Sequence, residues 1–151
     1  MISLATSHID DQVRKNVNAC LDENRIGQGR FNKEFEQQAA EYFGAPAVCV
    51  SNGTMADMVA VACCKALAHD PLRTEVIVPS LTFVAQTNSV LMNGLTPVFV
   101  DVTSDYQMDV NDVRKEVSDK TLAIFAVNLL GRAAPLEEFR ALADEKGVFL
   151  I

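Results

Sequence analysis

The sequence has few of the residues that bind single-stranded nucleic acid. None of its 151 residues is Trp, and aromatic residues make up only 7%, which leaves few rings to stack on bases. The formal net charge of −7 disfavours contact with phosphate backbones and with anionic lipid surfaces. We therefore expect neither nucleic acid nor a membrane surface as a partner.

The chain also lacks the ligand spacing of a zinc site. Its four cysteines are Cys20, Cys49, Cys63 and Cys64; no two of them form a CxxC pair, and the sequence has only two His residues. With so few ligands at suitable spacing we predict no metal site. We interpret the cysteines as free thiols in a reducing cytoplasm.

No segment has the pattern of a membrane span or a signal peptide. The longest apolar stretch, residues 58–68, is interrupted by Lys65 and is far shorter than a bilayer requires. The first eleven residues contain no Lys or Arg and end in two Asp, whereas a signal peptide begins with a basic region. Both observations favour a cytoplasmic location.

The first 46 residues predict two helices. The first has apolar residues at every fourth position after the candidate N-cap Ser7, and the second follows a glycine-containing break at residues 27–29. Gly44 and Pro46 are typical of a helix end. We interpret residues 1–46 as an N-terminal helical segment packed on the domain that follows. The apolar positions are Ile9, Val13, Val17, Leu21, Phe31, Phe35, Ala39 and Phe43.

From residue 47 onward, predicted strands and helices alternate. Most of the strands are continuous apolar runs, as in strands that are buried on both faces. The alternation predicts an α/β fold, a three-layer sandwich around a mostly parallel sheet. Residues 47–151 then form a partial domain, because the chain ends where another strand begins. The predicted strands are 47–51, 75–79, 97–101, 122–127 and 148–151, and the predicted helices are 54–68, 84–93, 111–117 and 135–146.

The loop after the first predicted strand is the main candidate for a ligand site, because ligands of open α/β sheets collect at the carboxyl ends of strands. In Ser51-Asn52-Gly53-Thr54-Met55, Gly53 permits a tight turn and close approach of the backbone. The N–H groups of Thr54 and Met55 would point outward at a positive helix end, and Thr54 adds a hydroxyl. These groups could hold a phosphate, although similar residues also cap helices that bind nothing.

Residues after the later strands are weaker candidates. Phe83 follows the second predicted strand, either as a ring that stacks on a flat heterocycle or as a core residue. Asp101 is interpreted as a turn cap, with a ribose hydroxyl as the alternative ligand. Asn128 and Arg132 are interpreted as hydrogen-bonding residues of a loop. The dinucleotide fingerprint, the P-loop and the GxSxG elbow are all missing from the sequence.

Five segments match a known family in order and spacing. They are Phe35-Glu36, Val50-Ser51-Asn52-Gly53-Thr54, and residues 75–85, 96–102 and 127–132. Together they resemble the amino-terminal part of the DegT/StrS-type sugar aminotransferases, pyridoxal-phosphate enzymes with the fold of aspartate aminotransferase, known as fold type I.

The resemblance implies a cofactor, a reaction and partners. Gly53, Thr54 and Met55 would hold the phosphate of pyridoxal 5'-phosphate, and Phe83 would stack on its pyridine ring. The implied reaction moves an amino group from an amino acid, usually glutamate, to a keto-sugar nucleotide. The products would serve polysaccharide, lipopolysaccharide or antibiotic sugar biosynthesis, and the enzyme would be a homodimer.

The resemblance assigns no catalytic residue to this chain. The family's aspartate that pairs with the pyridine nitrogen, and its Schiff-base lysine, would both follow Ile151, so we expect this fragment alone to be inactive. Two alternatives stay open. One is a pyridoxal-phosphate-dependent sugar dehydratase of the same superfamily, in which histidine replaces the lysine. The other is a non-catalytic α/β module that binds a phosphate or a nucleotide.

Overall fold

The structure, a computed structural model, describes residues 6–151 as two units. One unit ends at Cys49, and the other runs from Val50 to Ile151. Residues 1–5 of the predicted N-terminal segment lie outside the described residues. The packing of residues 1–46 on the domain stays a prediction.

The first unit contains two helices, α1 (Asp11–Asp22) and α2 (Arg30–Phe43). The predicted cap Ser7 is wrong, because the carboxylate of Asp10 accepts the N–H of Val13 at 2.8 Å and α1 therefore begins after Asp10. The predicted end of α2 is confirmed: Gly44 has a φ of 68° in the left-handed region, which glycine adopts readily.

The second unit is built on four parallel strands in the spatial order β2-β1-β3-β4. The predicted strands after residue 74 are confirmed within a few residues at their ends, and all four helices of this unit lie close to their predicted positions. The strands are β1 (Glu75–Pro79), β2 (Thr96–Val100), β3 (Thr121–Ile124) and β4 (Phe149–Leu150). The helices are α3 (Gly53–Leu67), α4 (Ala85–Met92), α5 (Val110–Glu116) and α6 (Leu136–Lys146), with a 3-10 turn at Leu129–Gly131.

Both faces of the sheet are covered, which confirms the three-layer sandwich. Successive side chains of β1 point to opposite faces. Val76 packs in one apolar cluster with residues of α3 and α4, and Ile77 packs in another with residues of α5 and α6. Phe139 of α6 is fully buried in the second cluster. The two clusters hold the helices against the sheet. These helices flank the loops at the carboxyl ends of the strands.

The prediction of a strand at residues 47–51 is wrong. Among the described residues the sheet begins at Glu75, and residues 46–50 are neither helix nor strand. Apolar and β-branched residues fit a strand well, but a strand also needs a neighbouring strand with which to form a ladder. None of the four strands described here provides that ladder for residues 47–51.

The described part of the chain contains no group of three metal-ligating side chains and no helix long and apolar enough to cross a membrane. Cys20, Cys63 and Cys64 are free thiols.

We predict that Phe139→Ala lowers the free energy of unfolding by about 3–5 kcal/mol, because it removes a fully buried ring and leaves a cavity. Urea denaturation measures this change. Phe83→Ala is the matched control, since this ring is 69% exposed, and we expect a change within about 0.5 kcal/mol. Equal losses in the two variants would contradict the assignment of the core.

Candidate active site

The first turn of α3 is fixed by Asn52. Its side-chain Oδ1 accepts the N–H of Met55 at 3.0 Å, and its main-chain oxygen accepts the N–H of Ala56 at 3.1 Å. The prediction that the Met55 N–H points outward is therefore wrong, because the side chain of Asn52 already accepts it. The N–H groups of Gly53 and Thr54 remain at the helix start, where no carbonyl of the same helix reaches them.

Open space lies beside Gly53. A Cβ added at this residue would meet no atom of residues 6–151 within 4 Å, and the φ of Gly53 is not in the left-handed region. Neither the turn nor the packing within the chain therefore requires glycine here, in contrast to the tight turn that we expected. What glycine provides is room for a group from outside the chain to approach the two N–H groups.

Phe83 lies in the loop between β1 and α4, and its side chain is 69% exposed. The alternative that Phe83 is an ordinary core residue is therefore wrong. The loop leaves the carboxyl end of β1, the position where ligands of open α/β sheets collect. The ring is free to receive a flat group from outside the chain.

Side-chain hydrogen bonds join α3 to the loop that carries Phe83. Gln86 Nε2 donates to Asp57 Oδ2 at 2.9 Å, and the hydroxyl of Thr82 donates to Gln86 Oε1 at 3.1 Å. Asp57 lies one helical turn beyond Gly53, and Thr82 immediately precedes Phe83. The sequence analysis missed Asp57 and Gln86, although Asp57 is the only acidic residue in the mostly apolar helix α3.

The carboxyl of Asp57 is partly removed from water. Burial raises its pKa above the ordinary value of 3.8, because burial disfavours the charged form. The hydrogen bond from Gln86 gives the carboxylate a partner inside the interface between α3 and α4.

Asp101 and Asn128 have structural partners, as the sequence analysis favoured. One oxygen of Asp101 accepts the N–H of Val102 at 2.8 Å and the hydroxyl of Ser80 at 3.1 Å. The side-chain oxygen of Asn128 accepts the N–H of Ala134 at 2.8 Å. The interpretation of Asn128 as a loop hydrogen-bonding residue is confirmed. Asp101 bonds to the next residue and to Ser80, so its interpretation as a turn cap stays a prediction.

Arg132 is held in its loop by an exposed ion pair. Its guanidinium lies 2.6 Å from Asp105, and its main-chain oxygen accepts the side-chain N–H of Gln107 at 3.3 Å. The interpretation of Arg132 as a loop residue is confirmed.

Comparison with known proteins identifies relatives that match this chain over nearly its whole length. GDP-perosamine synthase of Vibrio cholerae is 34% identical over 154 residues, which cover 100% of this chain and 41% of that protein. Helicobacter pylori PseC, an aminotransferase involved in the biosynthesis of pseudoaminic acid, superposes with a TM-score of 0.85. It is 25% identical, and the match covers 94% of this chain and 38% of PseC.

A dehydratase shares the fold as well. The Escherichia coli GDP-4-keto-6-deoxy-D-mannose-3-dehydratase, solved with bound hydrated PLP, has a TM-score of 0.85 and 29% identity. The match covers 97% of this chain and 39% of the dehydratase. The present chain thus spans less than half the length of each of these relatives, and the shared architecture is that of fold type I.

The model of the DegT/DnrJ/EryC1/StrS aminotransferase family matches residues 7–151, which is nearly the whole chain. The alternation of strands and helices, the order of the parallel sheet and the similarity to V. cholerae GDP-perosamine synthase agree with this match. The chain belongs to the DegT/DnrJ/EryC1/StrS aminotransferase family.

Proposed function

We propose that this chain supplies the phosphate-binding and ring-stacking parts of a pyridoxal 5'-phosphate site in a sugar-nucleotide aminotransferase. One observation carries the proposal: the first turn of α3 presents two N–H groups beside open space, at Gly53 and Thr54. The exposed ring of Phe83 lies on the loop that Gln86 joins to the same helix. Membership of the family supports this assignment.

The residues at the start of α3 suit a phosphate. Each uncapped N–H group donates a hydrogen bond, and the positive end of the helix dipole attracts a dianion. The hydroxyl of Thr54 adds a third donor from the same turn. We therefore assign the phosphate to Gly53 and Thr54, and we restrict Met55 to a side-chain contact, since Asn52 accepts its N–H.

Phe83 suits the pyridine ring of the cofactor. A planar, electron-poor heterocycle gains from offset stacking on an aromatic face, and it also removes apolar surface from water. When bound, pyridoxal 5'-phosphate supplies the electron sink for amino transfer. The residues of this chain bind and orient the cofactor, and we assign no proton transfer to them.

The substrates and the setting belong to the same proposal. We propose a keto-sugar nucleotide as the amino acceptor, an amino acid such as glutamate as the donor, a homodimer and a cytoplasmic location. The free thiols support a reducing compartment. Similarity to GDP-perosamine synthase supports the nucleotide sugar. A sugar dehydratase is the second candidate, because the E. coli dehydratase shares the fold equally well.

Binding of pyridoxine 5'-phosphate to the 151-residue chain tests the cofactor site. This probe carries the ring and the phosphate but has an alcohol in place of the aldehyde, so it does not react with surface lysines. We expect binding at one site by isothermal titration calorimetry. Thr54→Val and Phe83→Ala should each weaken it about fivefold, since each removes about 1 kcal/mol of interaction.

Phe99→Ala is the control for this experiment, because Phe99 is also an exposed ring, 55% accessible, but lies in β2. Its affinity for the probe should equal that of the parent chain. Unchanged affinity in both Thr54→Val and Phe83→Ala would contradict the proposed site. Binding of a plain nucleotide that does not depend on Phe83 would instead support the non-catalytic module.

The raised pKa of Asp57 predicts how stability depends on pH. Because the folded state holds this proton more tightly than the unfolded state, stability falls as the pH rises from the unfolded pKa through the higher folded pKa. Asp57→Asn removes that loss and keeps an oxygen to accept the Gln86 N–H. We expect the stability of this variant relative to the parent to increase as the pH rises above the ordinary value of 3.8, as followed by urea denaturation. A stability difference that does not change with pH would contradict this interpretation.

A further inference from the structure

The two parts of the proposed cofactor site lie on different elements, so their separation must be fixed by groups that bridge those elements. Gly53 and Thr54 belong to α3, whereas Phe83 belongs to the loop before α4. Gln86, in the first turn of α4, bonds to residues beside both parts. Its side-chain amide donates to Asp57 on α3 at 2.9 Å and accepts from Thr82 at 3.1 Å.

Gln86 also bonds to the side chain of the residue before Phe83 and to the main-chain oxygen of Phe83 itself. Its side-chain oxygen is bonded to Thr82, the residue before Phe83, and its main-chain N–H donates to the carbonyl oxygen of Phe83 at 3.4 Å. The exposed ring therefore extends from a backbone segment that Gln86 restrains at two points. The same side chain reaches α3 only one turn from the Gly53 and Thr54 N–H groups.

The chemistry of these three side chains allows only one orientation of the Gln86 amide. A carboxylate only accepts hydrogen bonds, so the NH₂ group must face Asp57 and the amide oxygen must face the Thr82 hydroxyl. All three side chains are partly buried, which makes a lost or mismatched partner costly. Glutamate, although equal in size, would set a second carboxylate against Asp57.

We propose that Gln86 is a positioning residue for the cofactor, because its bonds to Asp57 and Thr82 set the distance between the Phe83 ring and the phosphate-binding N–H groups of α3. The inference rests on the proposed function. Gln86 itself would not touch the cofactor. Substitution of the Gln86 side chain should weaken binding of a ligand that carries both the ring and the phosphate, although every group that contacts this ligand is still present in the chain.

Asn93 offers a matched comparison within the same pair of helices. It follows the last residue of α4, and its side-chain amide donates to the main-chain oxygen of Met58 at 3.1 Å. This bond also joins α4 to α3, but Asn93 makes no bond to the loop that carries Phe83. Asn93→Ala therefore weakens the packing of the helices and leaves the restraint on Phe83 in place.

The test measures the affinity for pyridoxine 5'-phosphate of the 151-residue chain and of variants in which the hydrogen-bonding partners Gln86 and Asp57 are substituted singly and together. Gln86→Glu should bind about five- to tenfold more weakly, the loss expected for one broken hydrogen bond. Asp57→Asn keeps an acceptor and should stay within about twofold of the parent. The double variant should recover to within about twofold, because the introduced amide donates to the introduced carboxylate. A residue that affects only stability would not show this reciprocal rescue of affinity.

Stability measured in parallel separates positioning from folding. Asn93→Ala should lose stability at unchanged affinity, whereas Gln86→Glu should lose affinity. If Gln86→Glu fails to fold, Gln86→Met replaces it in the experiment. Methionine has a similar length but no polar group that could bond to residue 57, so Asp57→Asn should not restore the affinity of this variant for the probe.

Two results overturn the proposal in distinguishable ways. If binding requires Thr54 and Phe83 but is unchanged in the Gln86 variants, or falls equally in Asn93→Ala, only the positioning role is wrong. If the parent chain does not bind the probe, or binds it without Thr54 and Phe83, the proposed cofactor site is wrong and the role of Gln86 fails with it.

Discussion

The central position of β1 in the parallel sheet determines the rest of the structure. β1 pairs with β2 on one side and with β3 on the other, and its side chains enter both apolar clusters. Parallel neighbours require crossover connections, and these connections carry helices across both faces of the sheet. Because all four strands run the same way, the loops that follow them emerge at one edge. The position of Phe83 is thus a consequence of strand pairing and helix packing.

Most of this architecture could be predicted from the sequence because buried parallel strands and amphipathic helices leave strong local patterns. The failure at residues 47–51 has a physical cause. An apolar, β-branched run records a preference for extended backbone and burial, but it contains no information about which strand lies beside it. The four strands of the described sheet come from later in the chain. At Ser7 the prediction failed because Asp10, three residues later, caps α1 instead.

The location of the candidate site could be predicted from the sequence better than the hydrogen bonds within it. Phe83 was selected because it follows β1 and matches a family segment, whereas Gly53 and Thr54 were selected because they begin a helix and match another family segment. Their role in binding a cofactor stays a prediction. The outward orientation expected for the Met55 N–H was wrong, since the side chain of Asn52 accepts it. Contact between Met55 and the cofactor stays a prediction. Asp57 and Gln86 are separated by 29 positions, so their bond leaves no local pattern. Its trace in the sequence is the single carboxylate of a mostly apolar helix.

Our central proposal is that this chain contributes rigid geometry to a cofactor site, with donors on a helix end and a ring on an adjacent loop. The most direct test of that claim is an amide-resolved NMR titration of the isotope-labelled 151-residue chain with pyridoxine 5'-phosphate. The account predicts that the Gly53 and Thr54 amide signals shift together with the Phe83 ring signals, at one common dissociation constant. Shifts confined to other parts of the chain, with these three residues unaffected at saturation, would contradict it.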